Sequence, residues 1–409
     1  VKILLLGAAR HQVPAIEAAL REGWEVFTAD NVPANPGHRL ATRSFDVSAA
    51  DPDAVTRLAE ELGVDGVLGC ASEVCARTAA QVAARLGLPG SPPEAVETLS
   101  FKDAFRKCTQ SAGLQTLAWR CWGRDEAEMA EAWAGRISAG VVVKPVDSSG
   151  GRGVTVQPDH FRDAFERAMA ASRVGRVVVE ERVVPVGGQF GGDGWMEQGR
   201  LKFLHCFDNA TLPPPDNGAA IQETFPCGHD AGSLEVMRTH LEALMKACGY
   251  TRGPFNFDGC FLKDGRPFVF EIGPRNGGNF IPHQIQQQTG VDLTTAAVRS
   301  AVDLEFELAV PVPGRGEGGE PRFHATWVVH ARQTGILREV KLAQELAPYV
   351  QELIPYVSPG APVRPFAMSG DALGMLLLQF PNRAEMHGVM ARMPALCQIH
   401  LEPTPSHEP

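Results

Sequence analysis

Over the first hundred residues the apolar positions fall into two kinds of run. Lys2-Ile-Leu-Leu-Leu-Gly7 and residues 64–68 are short and nearly all apolar, and Trp24-Glu-Val-Phe-Thr-Ala29 is a third segment of strand length. Such runs predict strands buried on both faces. Between them, residues 14–22 place Ile16, Ala19 and Leu20 on one helical face and stop at Gly23. Asp51-Pro52 supplies an N-cap with proline at the first helical position, with Val55, Leu58 and Leu62 inward and Gly63 as the stop. Residues 76–86 read as a further helix. The βαβ rhythm predicts a parallel sheet covered on both sides.

Pro89-Gly-Ser-Pro-Pro93 marks a boundary, and the pattern beyond it is mixed. Ser100 reads as the N-cap of a helix with Asp103 at its third position, with Phe101, Ala104, Phe105 and Cys108 inward and Gly113 as the end. Helices are expected at 159–171, 286–299 and 384–393, and strands at 141–144, 177–184, 195–197, 201–207, 326–331, 337–340 and 375–380. The polar stretch 211–218 reads as a long loop able to close over a site, 311–319 as a loop or linker, and 403–409 as a disordered tail.

Composition narrows the function. The chain has 409 residues, 44% hydrophobic and 21% charged, which suits a globular protein of two or three domains. A formal net charge of −10 argues against nucleic acid or an anionic membrane as the main partner. No apolar run reaches the roughly 18 residues that span a bilayer, and the first strand is not a signal peptide. The nine cysteines are scattered without a Cys-x-x-Cys pair, as expected of thiols in a reducing cytoplasm. Neither His-Glu-x-x-His nor Gly-x-Ser-x-Gly occurs, which argues against zinc and serine hydrolases. The first turn, Gly7-Ala-Ala-Arg-His-Gln12, lacks the glycine spacing that lets a backbone approach a pyrophosphate, which argues against NAD.

Candidate chemistry concentrates in two places. Asp264-Gly265 separates two alternating apolar runs and predicts a two-residue type I′ turn with Lys263 facing Arg266. In that register Asp258 lies directly opposite Glu271, with Cβ atoms about 4.5–5.5 Å apart. Two carboxylates that close need a cation between them or a shared proton, and hard oxygen ligands suit Mg²⁺. A solvated hairpin face with an accidental acidic pair is the other reading of the same residues. The second place is Val141-Val-Val-Lys144, followed by Pro-Val-Asp-Ser-Ser-Gly-Gly-Arg-Gly153. Glycines let successive N–H groups turn toward one anion, and the lysine adds a point charge, so the pattern fits nucleotide phosphate. Lys102, in the first turn of its helix, is a weaker hint of the same kind. Glu180 and Glu181, adjacent in a strand, point to opposite faces.

Lys102, Val143-Lys144-Pro145, Ser148 to Gly153, Val179-Glu-Glu-Arg-Val183, Asp258 and Glu271-x-x-Pro-Arg275 stand in the order and spacing of the ATP-grasp superfamily, and the chain resembles that family over nearly its whole length. The resemblance implies an α/β and α+β fold. A Rossmann-like domain (1–100) precedes two ATP-grasp lobes (101–185 and 186–310, the second with the metal hairpin), and a small carboxylase-like C-terminal subdomain (311–409) follows. It implies that Lys102 and Lys144 touch ATP phosphates and that Ser149, Gly150, Gly151 and Gly153 form a lid. Glu180 and the backbone of Glu181 and Val183 would read adenine, and Gln189 and Lys202 would add nucleotide contacts. Asp258 and Glu271 would hold Mg²⁺ or Mn²⁺, and Arg275 would stabilise the transferring phosphoryl group. Asn276, Gly277 and His283 would border the substrate, although His283 also fits a core histidine. Two positions depart from the family pattern. Gly273 stands where members commonly carry a metal-binding asparagine, and Gln189 where a ribose-binding glutamate is common.

The activity implied is an ADP-forming ligase that joins a small carboxylate to an amine through an acyl phosphate, with both substrates unidentified. A bicarbonate- or formate-activating synthetase and a non-catalytic nucleotide-binding module are the competing readings. The resemblance further suggests a cytoplasmic protein and a homodimer.

Overall fold

The computed structural model describes residues 1–115, 117–212, 219–308 and 322–403. Most of the polar loop 211–218, the linker 311–319 and the tail after residue 403 lie outside the described residues. The chain divides into two compact units. One comprises Val1–Thr116, Pro185–Cys206 and Gly228–Val312; the other comprises Leu117–Val184, Phe207–Cys227 and Pro313–Pro409.

The first unit begins with the expected parallel sheet, ordered Arg43–Phe45, Glu25–Ala29, Lys2–Leu6, Gly66–Gly69. Alternation along the strands splits its core in two. Leu4, Leu6 and Phe27 pack with Val55, Leu58 and Val82 on one side. Ile3, Leu5 and Val26 pack with Ile16, Ala19 and Val298 on the other. Asp51 caps Pro52–Leu62 by accepting from the N–H groups of Asp53 and Ala54, and Gly63 ends it in the left-handed conformation. The next helix starts earlier than its apolar face suggests, at Glu73, because Ser72 accepts from the N–H of Cys75.

Ser100 is not the N-cap expected. Its hydroxyl donates to Val96 O and finishes the helix Pro93–Ser100, and Phe101 alone, in extended conformation, separates that helix from Lys102–Ser111. The inward face of the second helix is Lys102, Phe105, Arg106 and Thr109. The helix expected over 286–299 is two helices, Ile281–Thr289 and Leu293–Ser300. Gly290 at φ +79 stops the first, and Asp292 caps the second on Thr295 N.

Val186–Glu197 pairs antiparallel with Gly253–Phe261, which pairs with Pro267–Gly273. The glycine-rich stretch 187–194 is therefore strand, and its glycines make room for rings: a Cβ at Gly192 or Gly194 would overlap Phe257 or Phe255. The hairpin turn differs from expectation. Leu262, not Lys263, faces Arg266, and Gly265 N donates to Leu262 O across a three-residue loop with Gly265 at φ +80. Asp264 favours this loop by accepting from both the backbone N–H and the guanidinium of Arg266. A one-residue bulge beyond Gly259 and Val269 then restores the register, so that Asp258 does oppose Glu271.

The second unit has a four-stranded antiparallel sheet, ordered Trp119–Gly123, Arg176–Glu181, Val141–Pro145, Thr155–Val156. It packs on Phe161–Ala171 through Val143, Val177, Val179, Phe165 and Ala168. Its later part pairs Ala220–Phe225 with Phe323–Val329, that strand with Gly374–Phe380, and that in turn with Val350–Pro355. Helix Arg383–Met390 covers this sheet through Met386, and Pro362–Val363, Gly335–Leu342 and Cys397–Glu402 form a small three-stranded sheet. Strand Val350–Pro355 alternates weakly and carries charge, so the apolar pattern did not disclose it, whereas Cys397–Glu402 alternates strictly and was passed over. No helix among the described residues is long and apolar enough to cross a membrane.

Gly66 lies where a Cβ would overlap the Ala301 carbonyl and crowd Val302. Gly66→Ala is expected to cost about 1–3 kcal/mol, as overpacking against backbone does, read as a lowered urea midpoint with unchanged slope.

Candidate active site

The hairpin of the first unit brings three candidate side chains together. Asp258 and Glu271 are directly opposed and half-buried. Lys102 Nζ lies 3.3 Å from Glu271 Oε2; the lysine is buried, whereas Glu271 keeps 41% of its side chain exposed and open to a ligand. Among the described residues no group of three His, Cys, Asp or Glu could hold a metal. The donor set is two carboxylates, which fits Mg²⁺ completed by phosphate oxygens and water better than an all-protein cage.

Arg275 follows on the same chain segment. Its guanidinium pairs with Glu73, at the start of helix Glu73–Leu86, and donates to Asn276 O at 3.2 Å. Burial works against the charge, but Glu73, Asp193 and Glu271 outweigh it and raise the Arg275 pKa. The guanidinium also packs over Gly273: a Cβ there would stand 2.8 Å from Arg275 Cζ, so a side chain at 273 would require the guanidinium to shift. Asn276 is pinned by its Nδ2, which donates to Leu293 O at 3.0 Å, while its Oδ1 is buried and has no hydrogen-bond partner among the described residues.

Gly277 N donates to Asp193 Oδ2 at 2.9 Å, and Asn256 Nδ2 donates to Asp193 Oδ1 at 2.8 Å. Asp193 is fully buried, and burial pushes its pKa up to about 6 against the pull of those two donors and of Arg275. Asn279 and Phe280, at φ +50 and +58, hold the following loop in the left-handed region that non-glycine residues rarely adopt. His11 packs near Phe280, and its pKa is lowered to about 4 by burial, with Arg10 and Arg275 adding to the shift. His283 lies half-buried on Ile281–Thr289, Gln189 half-buried in Val186–Glu197, and Lys202 exposed on Arg200–Thr211.

In the second unit Lys144 Nζ donates to Glu180 Oε1 at 2.5 Å, and both side chains are buried. Glu181 is held by Ala118, whose carbonyl accepts from Glu181 N at 2.7 Å, and Val183 lies half-buried just past the strand end. The loop after Lys144 has Gly150, Gly151 and Gly153 at φ +63, +77 and +71, conformations that favour glycine. Ser149 and Gly150 are exposed, and Gly150 O accepts from Ser369 N at 3.0 Å. Asp147 anchors the base of the loop by accepting from Ser172 Oγ and Arg173 N.

No protein-family profile matches the chain. Formate-dependent phosphoribosylglycinamide formyltransferases of Burkholderia mallei and Rhodococcus jostii are 32% and 30% identical to it over 333 residues, 76% of this chain and 78% of theirs. Among solved structures, L-amino acid ligase from Bacillus licheniformis superposes with a TM-score of 0.82 at 19% identity, covering 98% of both chains. N5-carboxyaminoimidazole ribonucleotide synthetase from Thermotoga maritima gives 0.72 at 14% identity, covering 98% of this chain and 99% of that one. The chain belongs to the ATP-grasp superfamily. It is an ATP-dependent ligase of the carboxylate–amine type, forming C–N bonds.

Several residues of this ATP-grasp ligase near the hairpin escaped sequence reasoning. Glu73 follows a capping serine and reads as ordinary first-turn acid; Asp193 is a lone carboxylate among glycines; Arg106 looks like a surface cation on a helix. Asp193 offered the one usable signal, a charge inside a strand whose neighbours are too small to shield it.

Asp193 also generates a pH prediction. Its unfolded value is 3.8 and its folded value about 6, so the folded state holds the proton longer. Its contribution to stability therefore falls as pH rises from about 4 to about 6 and is constant above. Asp193→Asn should lack that slope: urea unfolding at pH 4 and 6.5 is expected to show the variant gaining stability relative to the parent as pH rises. A pH-independent difference would remove the assignment.

Proposed function

We propose that this ligase activates a small carboxylate with Mg·ATP and transfers the acyl group to an amine. A carboxylate oxygen attacks the γ-phosphorus, the bond to the bridging oxygen breaks, and ADP leaves. The amine nitrogen then attacks the acyl carbon, phosphate departs with the C–O bonding pair, and the nitrogen loses a proton. The observation that carries the reading is the opposed Asp258–Glu271 pair beside the buried Lys102. Two carboxylates this close are stable beside cations, and a bound Mg²⁺ would supply charge neutralisation at the phosphate oxygens.

The chain's own residues take the remaining roles. Lys102 and Lys144 bind phosphate as point charges. The N–H groups of Ser149, Gly150, Gly151 and Gly153 close over phosphate as a lid. Glu180, Glu181 and Val183 contact adenine, Gln189 the ribose, and Lys202 a further part of the nucleotide. Arg275, fixed by Glu73, stabilises charge on the acyl phosphate. Asn276, Gly277 and His283 border the substrate. The four-part division at residues 100, 185 and 310 belongs to the same proposal.

Formate is the acid favoured by the names of the relatives at 30–32% identity. A biotin carboxylase domain of similar fold is described as a dimer with MgADP and bicarbonate, which supports Mg²⁺ and a homodimer here and keeps bicarbonate among the acids to test. No disulfide joins the nine cysteines, and a reducing, cytoplasmic setting belongs to the same proposal.

ADP release is the test, measured with formate, bicarbonate or amino acids as the acid, each with and without a panel of amines. Release is expected to require one acid and one amine together, and Glu271→Gln to slow it on the order of 10²-fold, as loss of one charge-stabilising group does. Tight ATP binding without turnover for any pair would refute the proposal.

A further inference from the structure

Asp258 opposes Glu271 only because the pairing of Gly253–Phe261 with Pro267–Gly273 changes register between Asp258 and Gly259. On the turn side of the change Gly259 faces Val269; on the other, Asp258 faces Glu271, so Phe270 is the extra residue. Without it Asp258 would face Phe270, and the carboxylates would be out of step. A bulge of this kind disturbs the ladder and leaves backbone groups to be satisfied by other means.

Those groups have partners on the other side of the strand. Arg106 Nη1 donates to Val269 O at 3.2 Å and Nη2 donates to Phe270 O at 2.8 Å. Successive carbonyls of a regular strand point to opposite edges. A single guanidinium that receives two consecutive carbonyls is matched to a bulged strand and not to a regular one. Gln115 completes the arrangement: its Oε1 accepts from Val269 N at 2.5 Å and its Nε2 donates to Val269 O at 3.2 Å. Arg106 is 2% exposed and Gln115 5%, and the Arg106 guanidinium lies 5.3 Å from the centre of the Phe268 ring. The helix that carries Arg106 begins at Lys102, one turn earlier on the same face, and Lys102 reaches Glu271. One helix face thus touches Val269, Phe270 and Glu271 in sequence.

We infer that Arg106, assisted by Gln115, is a positioning residue that selects the bulged register and so assembles the Asp258–Glu271 metal pair. The inference rests on the metal reading of that pair, and its test separates the two. The first measurement is Mn²⁺ affinity by electron paramagnetic resonance, with ADP present, in the parent, Asp258→Asn, Arg106→Met and Arg106→Lys proteins. The second is register, read as a disulfide between positions 258 and 271 in an Asp258→Cys, Glu271→Cys protein, mapped by mass spectrometry with and without Arg106→Met. That cross-link needs no metal. Arg106→Met is expected to stay folded, to bind Mn²⁺ at least about tenfold more weakly, as loss of an outer-shell partner does, and to lose the cross-link. Arg106→Lys should fall between it and the parent. Lowered thermal stability with Mn²⁺ affinity and cross-link both unchanged would overturn the inference, leaving Arg106 a structural residue. Should Asp258→Asn leave Mn²⁺ binding untouched, the metal reading fails, and the cross-link still decides the role of Arg106. If Arg106→Met does not fold, Gln115→Met carries the same two measurements, with a smaller loss expected in each and no change in either overturning the inference.

Discussion

Two like charges held face to face are the constraint on which the first unit depends. Asp258 and Glu271 sit on neighbouring strands whose backbone spacing brings the carboxyls together, and nothing in strand pairing favours that. Lys102 answers part of the repulsion from a buried position at the start of its helix, where the helix dipole is unhelpful to a cation. The compensation is incomplete: a half-buried carboxylate pair with one neighbouring ammonium retains negative charge, which the divalent cation proposed for the site would neutralise. In the proposed site Lys102 would face both the metal and the phosphate, a gain to set against a cation that weakens its own helix.

Gly273 and Arg275 show a second compromise in the same strand. A side chain at position 273 would compete for space with the guanidinium, and Glu73 holds that guanidinium from the parallel-sheet part of the unit. An asparagine at this position would require the guanidinium to shift, and the arginine's charge is one that Glu73, Asp193 and Glu271 all reinforce. Asp193 in turn ties the Gly277 backbone to Val186–Glu197, so the segment after Arg275 is fixed at both of its ends, by Asp193 and by the Asn276–Leu293 hydrogen bond.

How much of this the sequence discloses depends on whether the deciding interaction is local. The βαβ rhythm, the Asp51 cap and the glycine stops at 63 and 290 are local, and all but the stop at 290 were read. The Asp258–Glu271 register was reached from a wrong turn. The two-residue loop expected at Asp264-Gly265 is a three-residue loop, and the bulge at Phe270 cancels the resulting slip. No periodicity argument could supply that cancellation, because the groups that hold the bulge are Arg106 and Gln115, more than 150 positions away in sequence. Ser100 failed as a cap for a related reason: its hydroxyl had a nearer acceptor in Val96, and a serine between two helices can serve either.

The second unit solves its charge problem differently. Lys144 and Glu180 are both buried and share a short hydrogen bond, so the lysine is already neutralised where it stands. Removing one partner of such a pair leaves the other desolvated and uncompensated, typically 3–5 kcal/mol. A substitution at Glu180 therefore disturbs this buried pair as well as the adenine contact proposed for it. The glycine loop that follows carries no comparable burden. Its glycines are left-handed and Ser149 is exposed; Ser148 Oγ donates to Arg152 O within the loop, Ser369 N donates to the Gly150 carbonyl, and Asp147 holds the base. The lysine is held by a buried partner while the loop tip is exposed, a division that suits the proposal in which a fixed charge meets a phosphate chain and the loop closes over it.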